Sequence, residues 1–145
     1  MNGELDELDE LDEQEFRLAV QRLARRIRST RSDEGISDSQ MSVLSVLGKS
    51  NSATPSELAQ RERVSAPSMN RTLNGLLAHG LVAKSAHPND ARRVEVALTP
   101  NGRALISKTR RLRSAWFTLR VSELDAPERA ALAAALPVLT RLADA

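Results

Sequence analysis

The amino-acid sequence predicts a mainly α-helical fold that carries one small β-hairpin, which makes it an α+β protein. Apolar residues recur at three- and four-residue spacing along most of the chain, which is the pattern of amphipathic helices. Serine, threonine or aspartate stands before several of these segments, where helix N-caps are expected. Two neighbouring segments with strand composition, LVAKSA and VEVALT, predict the hairpin.

The first predicted helix runs from about residue 13 to residue 31. Its apolar positions Phe16, Val20, Leu23 and Ile27 fall at i, i+4, i+7 and i+11, which places them on one side of the helix. Arginines cover much of the remaining surface, and we assign most of them to solvated or ion-paired positions. This helix is therefore expected to serve the structure of the protein.

The second and third helices both begin at predicted capping boxes. Ser37 opens the SDSQ box, and Met41, Leu44 and Leu47 of the helix that follows are predicted to face inward. Thr54 opens the TPSE box, in which proline takes the first position of the short third helix, PSELAQRE. Both helices therefore have well-defined starts.

The fourth helix follows the third after a short turn, which is the order of a helix-turn-helix. Ser65 is predicted to cap this helix, and Gly80 supplies the left-handed residue that ends it. On a helical wheel Met69, Leu73, Leu76 and Leu77 fall together and are predicted to pack inward. The opposite side carries small and polar residues, namely Pro67, Ser68, Arg71, Asn74, Gly75 and Ala78, with Asn70 on its flank.

The outward side of the fourth helix has the chemistry of a DNA-reading surface. Small residues let the backbone lie close to base edges, while Arg71 can bind guanine bidentately and Asn70 or Asn74 can bind adenine. The helix N-terminus at Ser65 can receive a phosphate. An ordinary solvated polar face is the competing explanation for this helix considered alone.

The charged segment HPNDARR, residues 87–93, is predicted to be the loop of the hairpin. Pro88, Asn89 and Asp90 are turn formers. Asp90 stands two residues before Arg92, and its carboxylate is expected to hold the Arg92 guanidinium in a fixed pose at the tip. A helix-turn-helix followed by such a hairpin is a winged helix-turn-helix. A plain surface pair of aspartate and arginine is the alternative.

The wing and the start of the next helix resemble the MarR family of bacterial transcription regulators (multiple antibiotic resistance regulator). The family's wing carries an Asp-x-Arg motif followed by a strand and a Leu-Thr-x-x-Gly helix start, and the matching residues here are Asp90, Arg92, Leu98, Thr99 and Gly102. The similarity covers roughly the whole chain after the first dozen residues, helix order included. A match of this length is far more specific than any single motif.

The resemblance implies a homodimeric transcription regulator, most often a repressor, that binds double-stranded DNA at a pseudo-palindromic operator. It makes Arg92 the minor-groove residue and Arg93 a phosphate or second groove contact. Family members commonly bind small aromatic or anionic effectors in a cleft near the dimer region, and we assign no residue of this chain to such a site. A winged helix that docks a protein partner, without sequence-specific DNA binding, is the alternative function.

The terminal helices are too apolar on one side for a lone winged helix. Thr99 caps the fifth helix and Asp125 opens the sixth. The resemblance implies that these helices interdigitate with the first helix of a second copy. The predicted dimerisation residues are Phe16, Val20, Leu112, Trp116, Leu119, Leu132 and Leu139.

The predicted organisation is an acidic, flexible arm, residues 1–12, followed by a single domain, residues 13–145. Within that domain, residues 13–35 and 103–145 are predicted to form the dimerisation helices. Residues 36–102 are predicted to form the DNA-binding lobe, a winged helix-turn-helix.

Charge is unevenly distributed along the chain. Residues 1–15 contain eight acidic residues and no basic one, whereas the rest of the chain carries 21 basic and 11 acidic residues. A basic body of this kind favours a polyanionic partner. The acidic arm is either a solvated lead-in to the first helix or, in a sharper interpretation, a DNA mimic that competes for the basic face.

The sequence offers little support for an enzyme. The chain has no cysteine, which excludes disulfides and thiolate metal sites, and its two histidines, His79 and His87, lack partners at zinc-ligand spacing. No glycine-rich phosphate loop follows a strand. We therefore expect no catalytic residue, no metal and no cofactor.

No membrane partner is predicted. No apolar run approaches the ~18 residues that a membrane span needs, and the acidic N-terminus is the opposite of a signal peptide. The sequence predicts a soluble cytoplasmic protein.

Overall fold

The computed structural model of the protein describes residues 10–30 and 35–145, with side chains from residue 12 onward in the first of these segments. Contacts divide the chain into two compact units, one made of Met1–Thr30 with Leu112–Ala145 and the other of Arg31–Arg111. Most of the predicted acidic arm lies outside the described residues. The first helix begins at Glu10, so the last three positions of that arm are helical.

Most of the described residues are helical. The helices are α1 (Glu10–Ser29), α2 (Asp38–Ser50), α3 (Pro55–Glu62), α4 (Ala66–Ala78), α5 (Pro100–Ser122) and α6 (Ala126–Ala143). The strands are β1 (Ser52–Ala53), β2 (Val82–His87) and β3 (Asp90–Leu98), which form an antiparallel sheet in the order β1-β3-β2. The mainly α fold with a small β wing is therefore confirmed.

The predicted helix starts have the hydrogen bonds of true capping boxes. Ser37 Oγ accepts the Gln40 N–H at 3.1 Å, and Gln40 Oε1 accepts the Ser37 N–H at 2.9 Å. The same reciprocal pair is present at Thr54 and at Asp125. Each box satisfies two backbone donors that a helix start would otherwise leave unpaired. These local hydrogen bonds explain why α2, α3 and α6 begin where the sequence predicts.

The hydrophobic core of the unit Arg31–Arg111 lies where α2, α3 and α4 pack against each other. Helices α2 and α3 also pack against β3, and α4 packs against β2. The inward positions predicted for α2 and α4 are buried, except Leu77, which is half-buried and packs against the core. Shortening one of these side chains to alanine typically costs about 2–5 kcal/mol. The most completely buried side chains are Val43, Leu44, Leu47, Leu58, Met69, Leu73, Leu76 and Val96.

The wing differs from the predicted hairpin in two respects. The strands are longer than expected, because His87 pairs with Asp90 and leaves a turn of only Pro88 and Asn89 between β2 and β3. A third strand, β1, was not predicted. It has two residues, and its pairing with β3 depends on a segment that is more than 40 residues away in sequence, so no local pattern reveals it.

The other unit contains α1, the end of α5 and α6. In this unit the Arg26 guanidinium lies 5.9 Å from the centre of the Trp116 ring, and Arg113 Nη2 donates to the Arg28 carbonyl oxygen at 3.4 Å. Helix α6 contains no buried residue although it carries several leucines. Helix α5 contributes residues to both units.

Candidate nucleic-acid interface

Helix α4 begins with the cap that the sequence predicts. Ser65 has extended backbone angles, and its Oγ accepts the N–H of Ser68 at 3.3 Å. Pro67 lies in the first turn, where its missing N–H costs no hydrogen bond. The exposed side chains of Ser65 and Pro67 therefore lie at the positive end of the α4 dipole.

One side of α4 is exposed and polar while the other side is buried. Asn70, Arg71 and Asn74 are exposed, and Ser68 is half-buried. Met69, Leu73 and Leu76 on the opposite side are at most 2% exposed. Packing of the apolar side therefore fixes which polar side chains α4 presents to solvent.

Gly75 does not belong to the outward surface, where the helical wheel placed it. It is half-buried, and a Cβ atom at this position would overlap the side-chain amide of Gln40. Gln40 is the residue that completes the capping box of α2. The lack of a side chain at position 75 thus allows the start of α2 to pack against α4. The outward placement of Gly75 was therefore wrong, because the helical wheel could not show its contact with Gln40 in α2.

The turn between α3 and α4 depends on a left-handed residue that is not glycine. Arg63 has φ +54°, and its N–H points at the carbonyl oxygens of Ala59 and Gln60. Val64 donates its N–H to Ala59 at 3.0 Å. Arg61 and Arg63 are both exposed just before the Ser65 cap. Both arginines therefore place positive charge just before the start of α4.

The end of α4 is joined to the end of the wing through Thr99. Gly80, with φ +68°, donates to Leu77, and Leu81 donates to Leu76 at 3.1 Å, which closes a Schellman motif. Thr99 Oγ1 donates to the Gly80 carbonyl oxygen at 2.6 Å and accepts the Gly102 N–H at 3.1 Å. The Leu-Thr-x-x-Gly segment therefore connects α4, β3 and α5.

Gly102 is required because the chain approaches it closely. A Cβ atom at this position would overlap the carbonyl oxygen of Leu81, which itself accepts the N–H of Thr99 at 3.1 Å. A backbone carbonyl that is already hydrogen-bonded cannot move aside cheaply. The glycine of the motif is thus explained by backbone packing.

The wing tip contains the predicted residues, but Asp90 acts differently from the expectation. Asp90 Oδ1 accepts the backbone N–H of Arg92 at 3.0 Å. The carboxylate thus binds the backbone of Arg92 in place of the guanidinium that was expected. A short aspartate side chain readily accepts the N–H two residues ahead, as in an Asx-turn. Arg92 is exposed. Asp90 therefore supports the wing through the backbone.

The ladder between β2 and β3 loses its regular register at the same place. Ala86 pairs with Val94, whereas the next residue, His87, pairs with Asp90. Residues 91–93 consequently lie outside the regular ladder. Irregularities of this kind increase local twist and redirect side chains, and Arg92 is one of the residues in this segment.

Arg93 is bound within the protein. Its Nη2 lies 2.6 Å from Oε1 of Glu57 in the first turn of α3. Hydrogen bonding to the Thr54 backbone N–H, together with the charge of Arg93, lowers the pKa of the Glu57 carboxyl. Glu57 was recognised in the sequence only as the last residue of a capping box. Nothing local indicated its second partner, which lies 36 residues away.

A second acidic residue connects all three strands. Glu95 Oε2 accepts the Ser52 hydroxyl at 3.2 Å, and its Oε1 lies 3.6 Å from Nε2 of His87. His87 Nδ1 also accepts the Asn89 N–H at 3.1 Å. These contacts occupy both ring nitrogens of His87. Among the described residues there is no group of three or more histidines and acids that could hold a metal ion.

The structure places the two predicted sets of site residues in different units. The predicted DNA-binding residues all belong to Arg31–Arg111, where they lie at the start and outward side of α4 and in β3. The predicted dimerisation residues all belong to the other unit. Within the described part of the chain no helix is long and apolar enough to cross a membrane.

Comparisons with known proteins agree with this architecture. Residues 34–93 match the MarR family. An uncharacterized HTH-type transcriptional regulator of Mycobacterium bovis is 38% identical over 127 residues, which are 88% of this chain and 89% of the relative. The HTH-type transcriptional repressor YetL of Bacillus subtilis is 30% identical over 76 residues, which are 51% of this chain and 46% of the relative.

A solved complex has the same fold. The crystal structure of a MarR mutant from E. coli complexed with operator DNA superposes with a TM-score of 0.64 and 27% identity, covering 87% of this chain and 91% of that one. The relative from M. bovis spans nearly the whole chain at an identity that shows common family membership. The chain therefore belongs to the MarR family of winged helix-turn-helix transcriptional regulators.

Proposed function

We propose that the protein binds a pseudo-palindromic operator in double-stranded DNA as a homodimer. In this proposal α4 enters the major groove, where Arg71, Asn70 and Asn74 meet base edges, and Arg92 enters the adjacent minor groove. The observation that carries the proposal is the division of α4 into a buried apolar side and an exposed polar side. The operator complex of the E. coli relative supports it.

Exposed apolar side chains in the unit that contains α6 support the homodimer. Phe16 is 46% exposed, Leu119 is 52% exposed and Leu136 is 63% exposed. An open groove between α1 and α6 is lined largely by apolar residues, among them Phe16, Val20 and Leu139. Apolar surface of this extent on a small protein marks an interaction site. A second copy covers it and places two α4 helices about one DNA turn, ~34–36 Å, apart.

Repression is the regulatory effect that we propose. The YetL relative is named a transcriptional repressor, and a dimer bound across an operator blocks other proteins from the same DNA. Release by a small aromatic or anionic effector stays a prediction from the family.

We also propose that the protein works in the cytoplasm, because a protein that binds an operator in a bacterium must be where the chromosome is. We propose no catalytic activity, because the side chains exposed on α4 and at the wing tip include amides and arginines, which suit binding to DNA.

Selection of bound sequences from a random DNA pool tests this function. The selected site should contain two related half-sites about one helical turn apart. Fluorescence anisotropy on that site should show an affinity that falls steeply with salt, because arginine and lysine contacts to phosphates release counterions. Failure to select any sequence, or an affinity that ignores salt, would favour the winged helix as a protein-docking module.

A further inference from the structure

Glu57 and Arg93 connect the wing to the helix-turn-helix through their side chains. Arg93 Nη2 and Glu57 Oε1 are 2.6 Å apart, and the two residues are separated by 36 positions in sequence. Glu57 lies in the first turn of α3, while Arg93 lies in β3 directly after Arg92. The pair therefore links the first helix of the motif to the strand that carries the wing tip.

Glu57 is held in place independently of Arg93. Its Oε2 accepts the Thr54 N–H at 2.9 Å, and its own N–H donates to Thr54 Oγ1 at 3.2 Å. Thr54 is itself buried, at 9% exposure. A carboxylate fixed in this way gives any guanidinium bound to it a defined position.

The strand segment that carries Arg92 needs such an anchor. Closer to the core, β3 is fixed by pairing with β1 at Ala53 and Val96. Beyond the Ala86 and Val94 pair the register shifts, so residues 91–93 lie outside the regular ladder. The contact between Arg93 and Glu57 is made within this segment. It ties β3 to α3 one residue away from Arg92.

The contact contributes little to the stability of the fold. The side chains of Arg93 and Glu57 are 47% and 44% exposed, and ion pairs at such exposure are weakened by solvent and salt. The contact matters more for the position of the β3 segment at the wing tip than for the stability of the fold. Arg92 is the preceding residue of the same strand, so fixing Arg93 against α3 restricts the positions that the Arg92 backbone and side chain can take.

We propose that Glu57 and Arg93 form a latch that positions Arg92 for the minor groove, which makes both of them positioning residues for operator recognition. This inference rests on the proposed DNA-binding function. It differs from the expectation that Arg93 contacts a phosphate, because in the latch Arg93 acts through Glu57.

The latch and simple electrostatics predict opposite effects on DNA affinity when the charge of Glu57 is removed. The first helix of a helix-turn-helix crosses the DNA backbone, so removing a negative charge from α3 should strengthen binding to phosphates. If Glu57 instead holds the wing in place, its neutralisation should weaken binding. Glu57→Gln is the appropriate variant, because glutamine can still complete the capping box.

The test measures operator affinity of the full-length protein by fluorescence anisotropy on the selected DNA. Glu57→Gln and Arg93→Gln should each weaken binding by about tenfold, and the double variant should be no weaker than Arg93→Gln alone. In an Arg92→Ala background, Glu57→Gln should have no further effect. Glu62→Gln is the matched control, since it removes the same charge from the same helix and should bind as tightly as wild type or tighter.

Hydroxyl-radical footprinting measures protection of the minor groove separately from protection at α4. If Glu57 only stabilised the fold, its replacement would not remove the minor-groove protection selectively. Glu57→Gln should lose protection in the minor groove flanking each half-site and keep protection where α4 binds. Thermal unfolding of each variant should stay close to wild type.

Two results would distinguish failure of the latch from failure of the proposed DNA-binding function. Glu57→Gln binding as tightly as wild type while Arg93→Gln is weakened would overturn the latch and make Arg93 a phosphate contact. Wild-type protein that shows no sequence-specific, salt-dependent binding would instead overturn the proposed function, and the latch with it.

Discussion

The hydroxyl of Thr99 donates a hydrogen bond to the carbonyl oxygen of Gly80 at 2.6 Å, and this bond joins the end of α4 to the end of the wing. The same hydroxyl accepts the Gly102 N–H at the start of α5. One side chain therefore satisfies polar groups at the ends of two helices. The elements proposed to enter the two DNA grooves share this connection.

Thr99→Val should destabilise the protein by about 1–2 kcal/mol, because it removes a helix cap and leaves the Gly80 carbonyl without this donor. Thr99→Ser keeps the hydroxyl and serves as the control, with stability closer to wild type. Chemical denaturation followed by circular dichroism measures both free energies. Equal stabilities of the two variants would show that the hydroxyl contributes nothing.

Two glycine substitutions should have opposite effects on stability. Gly102→Ala should cost about 1–3 kcal/mol, because the new methyl group overlaps the Leu81 carbonyl oxygen. Gly48→Ala should stabilise the protein by about 0.5–1 kcal/mol, because Gly48 is inside α2 and a Cβ there meets only ordinary contacts at 3.7 and 3.8 Å. Denaturant midpoints compare the pair directly. Destabilisation by both substitutions would contradict the packing described around Gly48.

Arg71→Ala should weaken operator binding by about 1–3 kcal/mol and relax base preference at one position in each half-site. Arg71 is exposed on the outward side of α4, where it can bind guanine bidentately. Arg71→Lys is the control, because lysine keeps the charge and loses the bidentate geometry. Anisotropy on operators with single base changes measures the preference. Arg71→Ala that keeps wild-type preference at every position would exclude Arg71 as a base-reading residue.

Arg92→Ala should weaken binding by a similar amount, about 1–3 kcal/mol, and reduce the preference for A·T-rich flanks. A narrow A·T-rich minor groove has an enhanced negative potential that attracts arginine. The thermal midpoint should stay near wild type, since the exposed side chain of Arg92 makes no core contact. Competition between operators that differ only in their flanks provides the measurement, and an unchanged flank preference would place Arg92 elsewhere.

Leu132→Glu should convert a dimer into a monomer. Wild type should sediment at micromolar concentration with about twice the chain mass of 15.9 kDa. Leu132 is 44% exposed on a helix without buried residues, and a charge buried at an interface is costly. Ala134→Glu, on the opposite side of α6 by helical spacing, should leave the dimer intact. Monomeric wild type that binds the operator tightly would contradict the homodimer.

Local sequence patterns were sufficient to predict most of the helices and the polar side of α4. The predicted third helix, PSELAQRE, coincides with the observed α3, because its capping box and its first-turn proline act within four residues. Gly80 ends α4 for the same kind of reason. The roles proposed for the residues of the DNA-binding and dimerisation surfaces stay predictions.

The sequence by itself thus determined the helix-turn-helix order, the helix caps, the inward apolar residues and the family resemblance. Only the tertiary structure decided that β1 adds a third strand, that Gly75 packs against Gln40, and that Arg93 binds Glu57. The physical reason is the range of the interactions. Caps and helical stripes depend on neighbours three or four residues away, whereas these contacts join segments that only the folded core brings together.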